Sequence, residues 1–97
     1  MVVLAFCVGV QCLAVPPQRY DHRYQGLLDV FHVSQSEVAQ HCHNAQTPSC
    51  AVRTEGFPSC KIYINKALDR RAVKILMRHE IAHCNGWGTP QNQHPVN

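Results

Sequence analysis

Apolar and polar residues follow several distinct rhythms along this chain. Residues 1–14, MVVLAFCVGVQCLA, form an uncharged apolar run. It is too short for a membrane span. It has the form of the apolar region of a secretory signal peptide, with Cys12-Leu13-Ala14 as the small-x-small cleavage site. The basic residues that usually open such a peptide are missing, so the true start is expected either upstream or at another position than Met1. The alternative is a buried N-terminal strand or helix. Val15-Pro16-Pro17-Gln18 fits an extended, processed N-terminus, and residues 19–26 fit a polar surface lead-in.

Residues 27–33, LLDVFHV, alternate partially and carry β-branched and aromatic side chains, which predicts a strand. Ser34 and Glu37 make an S-x-x-E capping box, so a short helix should run to about His43 with Val38, Ala39 and Cys42 inward. No second helix follows at the spacing a DNA-binding helix pair needs. After a loop marked by Thr47-Pro48, residues 50–54 and 60–65 read as two strands of a hairpin around Glu55-Gly56-Phe57-Pro58. In the second, Cys60, Ile62 and Ile64 alternate with Lys61, Tyr63 and Asn65. Residues 69–85 predict a helix. Asp69 is its N-cap, Ala72, Val73, Leu76, Met77 and Ala82 form its apolar stripe, and Gly86 ends it in a left-handed conformation. The order β-α-β-β-α predicts a small α+β domain, an antiparallel hairpin packed on helices.

Composition narrows this picture. Ninety-seven residues allow one domain, here residues 15–97. The net charge of +3 is mild and its Lys and Arg are scattered, which argues against a nucleic-acid partner. With the apolar leader removed, nothing predicts stable membrane association, and a monomer is expected. Cys42, Cys50, Cys60 and Cys84 then remain, an even number in a domain too small to rely on its core alone. Two disulfides are expected, in a periplasmic or secreted protein. Three connectivities are possible. The favoured one joins Cys50 to Cys60 across the hairpin and Cys42 to Cys84 between the helices. A cysteine zinc site ranks below this, because no C-x-x-C pair occurs.

The chemistry lies in the last helix, at Arg78-His79-Glu80-Ile81-Ala82-His83-Cys84-Asn85-Gly86-Trp87. Histidines four apart on a helix lie about 40° apart around its axis, so both rings project from one face. Neutral imidazoles suit Zn²⁺, and Glu80 beside them can take a proton from the water that the ion activates. A tetrahedral catalytic zinc needs a third protein ligand. His94 is the candidate, brought round by Gly86, Gly88 and the polar run 89–93; otherwise it is a frayed tail residue. His41 and His43 are the fallback ligands.

The segment RHEIAHCNGW resembles the zincin metallopeptidases. It is similar above all to small bacterial and phage metallopeptidase-like proteins that share an H-E-[IL]-x-H-C-N-G-W core. It also resembles the metzincin pattern H-E-x-x-H-x-x-G-x-x-H at His79, Glu80, His83 and Gly86. It departs from that pattern at Thr89, where the third His belongs, and no Met follows Gly86. The close likeness covers about ten residues, and a weaker one, a cysteine-bearing hairpin before the helix, reaches back to Cys50.

The resemblance implies a minimal zincin-like fold and hydrolysis of peptide bonds. Zincins run an edge strand beside the active-site helix to hold an extended substrate. By that likeness the strand 60–65 is the candidate edge, with Lys61 and Tyr63 pointing outward to substrate and Tyr63 a possible oxyanion donor. Trp87 is expected to pack against the helix end, and Asn85 to serve the helix terminus. Two other readings stay open: a non-catalytic zinc-binding module, and a cell-wall amidase using the same site.

Overall fold

A computed structural model describes residues 15–54 and 56–88. The leader 1–14 and His94 therefore lie outside the described residues. The apolar stretch 27–33 forms strand β1 (Leu27–Val33). Ser34 then caps helix α1 (Gln35–Cys42), its side chain accepting from the Glu37 amide, and His43 closes the helix in the left-handed region. Strands β2 (Ser49–Arg53) and β3 (Ser59–Asn65) make the expected antiparallel hairpin. Helix α2 (Arg70–Cys84) starts at Asp69, whose carboxylate accepts from the Ala72 amide at 2.8 Å. It ends before Gly86, where φ is +113°.

These elements make a small α+β domain with a three-stranded mixed sheet in the order β1-β3-β2. β1 lies parallel to β3, with Leu27 opposite Ser59 and Val33 opposite Asn65. The β3 strand is therefore central, and the expectation that it is an edge is corrected. The hairpin alone leaves one side of β3 open, and β1 fills that side. The outer strands are β1 and β2.

Side chains of β3 alternate between two cores, one on each face. Cys60 and Ile62 pack with Ala51 and Cys84 under α2, supported by Val30, Met77 and Ile81. On the other face Val38, Cys42 and Cys50 pack under α1 with Val52 and Tyr63. The sheet thus separates two single-helix layers.

Two disulfides tie the layers together, Cys42–Cys50 and Cys60–Cys84. The favoured connectivity, Cys50 with Cys60 and Cys42 with Cys84, is corrected. Cys50 sits opposite Tyr63 and Cys60 opposite Arg53, so the two are out of register. They also face opposite sides of the sheet, Cys50 toward α1 and Cys60 toward α2. By loop-closure entropy the two bonds stabilise by about 2.5 and about 3.5 kcal/mol.

The lead-in is more than a surface approach. Asn85 donates from Nδ2 to the carbonyls of Tyr20 and His22, at 2.9 and 2.6 Å. Arg78 pairs with Asp21 through two nitrogens, Nη2 lying 2.6 Å from Oδ2. The hydrogen bonds from Arg78 hold the Asp21 carboxyl below its ordinary range. At Gly26 the chain passes so close to Pro58 that a Cβ would overlap the Pro58 carbonyl.

Candidate functional site

Helix α2 buries three ionisable residues on one side: His79 is 6%, Glu80 1% and His83 6% exposed. Ionisable groups are rarely buried unless they are paired or bind a metal. The two imidazoles converge, with Nε2 of His79 3.1 Å from Nε2 of His83. Two nitrogens sharing one tetrahedral zinc, each at about 2.0–2.1 Å, would stand about 3.3 Å apart. Nδ1 of His83 lies 2.6 Å from the Trp87 carbonyl. A carbonyl only accepts, so Nδ1 carries the proton and Nε2 keeps its lone pair, aimed at His79. This is the arrangement that orients a histidine ligand.

Trp87 packs more specifically than against the helix end. Its ring stacks on His83 at 4.7 Å and 10°, and meets His79 edge-on at 5.0 Å. The fold-back that puts it there needs the positive φ of Gly86 (+113°). Gly86 thus turns Trp87 back over the imidazoles; the expected path from Gly88 to His94 lies outside the described residues.

Glu80 is held from the sheet. Its Oε2 accepts a 2.7 Å hydrogen bond from Ser49 Oγ, while Oε1 has no hydrogen-bond partner among the described residues. Burial pushes its carboxyl up to about 8, against the opposing effect of the Ser49 bond. A dication at the imidazoles would pull it back down. Sequence reasoning missed Ser49, because starting the strand at Cys50 left it in the loop. Extending the alternation back by one residue places Ser49 and Ala51 on the face toward α2.

The remaining candidates lie elsewhere. Tyr63 packs in the α1-side core, and its ring stacks between Phe31 (5.2 Å) and His41 (4.0 Å). Lys61, two residues earlier on the same strand, shares that face. Neither reaches the face that holds Glu80, which corrects their expected placement beside α2. His41 and His43 go with α1 on that far side and are exposed, so the fallback ligands do not join His79 and His83. A hollow of about 520 Å³ at His22, Arg23, Tyr24, Gln25 and Gly26 is lined by none of the three site residues.

The outer strand beside the site is β2. Asn65 donates to the Pro48 carbonyl and Thr54 to the Ser59 carbonyl, both at 3.0 Å. In an antiparallel ladder these bonds turn the backbone groups of residues 50 and 52 toward β3 and those of 49, 51 and 53 outward. Thr47 Oγ1 donates to the Ser49 carbonyl at 2.8 Å. Ser49 and Ala51 are buried all the same, at 1% and 2% exposed, so this outer edge is covered there.

The donor set fits two ligands of a zinc ion. Among the described residues no group of three His, Cys, Asp or Glu side chains completes a metal site. Also among them, no helix is long and apolar enough to cross a membrane. No family model, curated protein or solved structure matches the chain.

Proposed function

We propose that the domain is an exported zinc-dependent peptidase. The carrying observation is the 3.1 Å approach of the two Nε2 atoms beside a buried carboxylate. Bound there, zinc supplies a Lewis acid that acidifies water and polarises a carbonyl. His79 and His83 would hold it through Nε2, with His94 proposed as the third ligand. Glu80 takes a proton from the attacking water and passes it to the leaving amine. Trp87 covers the imidazoles and keeps bulk water off them. Two disulfides suit an oxidising compartment, periplasmic or extracellular.

Metal analysis with a peptidase assay tests this reading. Glu80→Gln should keep one zinc per chain and lose at least about 100-fold in kcat. His83→Ala should lose the zinc. A wild-type domain that binds zinc but cleaves neither peptides nor peptidoglycan amides would be a binding module instead. A domain that stays metal-free after zinc loading would end the proposal.

A further inference from the structure

The two outer strands of the sheet differ. β2 is covered at Ser49 and Ala51, whereas β1 is bare. Leu27 is 62%, Leu28 36% and Phe31 39% exposed, and Asp29 and His32 are exposed with them. The Leu27 amide donates to the Pro58 carbonyl and the Lys66 amide to the Val33 carbonyl, both at 2.8 Å. In a parallel ladder these bonds turn the backbone groups of residues 27, 29, 31 and 33 toward β3 and those of 28, 30 and 32 outward. β1 holds an unbroken register with β3 over its seven residues and contains no Pro or Lys. It therefore lacks the bulge, proline and lysine that commonly guard a free edge. A row of rings leads to the same edge. His41 stacks on Tyr63 at 4.0 Å and 5°, and Tyr63 on Phe31 at 5.2 Å and 19°. Phe31 ends the row among the described residues, so its far face looks away from the sheet.

We infer that β1 pairs antiparallel with β1 of a second copy of this chain, about a two-fold axis at Phe31, in place of the expected monomer. The two sheets then join into one of six strands. The strand's own residues select this occupant and register. With the axis at Phe31, the outward backbone groups of Val30 meet those of His32 in the other copy, and each pair exchanges two hydrogen bonds. Phe31 meets itself at a non-hydrogen-bonded position, where side chains approach most closely and aromatic pairs are favourable. The row of three rings becomes a row of six. Asp29 faces Val33 of the other copy, which leaves the two Asp29 carboxylates about 14 Å apart along the strands. An axis at Val30 would instead set them diagonally at about 7–8 Å, where like charges repel. Asp29 is in register with Lys61 of its own β3, so its charge has a cation beside it. The inference is independent of the peptidase reading.

The full chain tests this by mass and by crosslinking. One strand pair buries little area, so the dimer belongs to the weak class. By sedimentation, wild type should have twice the chain mass at about 1 mM and fall to one chain on dilution. Phe31→Glu should stay a single chain at the same concentration. Phe57→Lys, which removes a more exposed apolar side chain away from β1, should keep the dimer. Under mild oxidation Phe31→Cys should join two chains, because a non-hydrogen-bonded pair brings the Cα atoms to about 4.5 Å, within reach of a disulfide. Asp29→Cys, about 14 Å from its copy, should not. Wild type oxidised alongside gives the background from Cys7 and Cys12. The inference is overturned by a wild type that is one chain at about 1 mM, by a dimer that Phe31→Glu leaves intact or Phe57→Lys breaks, or by crosslinking at Asp29→Cys equal to that at Phe31→Cys. If Phe31→Glu does not fold, the two cysteine variants decide alone.

Discussion

At Glu80 one buried carboxyl sets the pH response of the metal-free domain. Unfolded, it titrates near 4.5; folded, burial lifts it to about 8. Between those values the folded state holds a proton that the unfolded state has released. Its contribution to stability is therefore complete below about 4.5, falls as pH rises, and is gone above about 8. Thermal melts of the metal-free protein from pH 5 to 9 should show a falling midpoint, and Glu80→Gln should flatten the trend. Asp21 acts in the opposite sense, because its depressed carboxyl loses stability as pH falls through its folded value. His79, Glu80 and His83 were legible in the sequence because helical spacing alone puts them on one face. The Ser49 bond and the Trp87 carbonyl were not. Each depends on where a distant strand or a glycine turn finally lies, and no local pattern records that.

At the scale of elements, the two disulfides should separate stability from metal binding. Cys60–Cys84 fastens the last turn of α2, next to His83, to the central strand. Cys42–Cys50 lies in the other core, under α1. Replacing Cys60 and Cys84 with Ala should cost about 3.5 kcal/mol in urea melts and weaken zinc binding in a competition titration. Replacing Cys42 and Cys50 should cost about 2.5 kcal/mol and leave zinc affinity unchanged. At the start of α2, Asp69→Ala should remove about 1 kcal/mol. The bounds of the three strands and the two α-helices were readable to within a residue or so, because capping residues and alternation are local signals. The partner of β1 was not. A hairpin fixes its own register through its turn, whereas a parallel neighbour arrives through a long crossover whose end point the sequence pattern does not encode.

Across the whole molecule, the sheet keeps the two cores apart, and the lead-in straps the site helix from outside. Asn85→Ala removes two hydrogen bonds to that strap and should cost about 1–3 kcal/mol, measured by denaturant unfolding. Gly26→Ala should destabilise through its clash with Pro58. The α+β class was legible from the order of elements. The use of residues 19–24 as a strap was not, since a polar, aromatic stretch looks the same whether it meets water or a helix end.

Trp87 is the only tryptophan in the chain, and its indole lies flat against His83. The protein therefore carries a built-in optical gauge. Any change in the electronic state of that imidazole, through protonation or capture of a cation, falls within contact range of the fluorophore. Titrating zinc while watching intrinsic emission would report occupancy directly, with no label and no substrate.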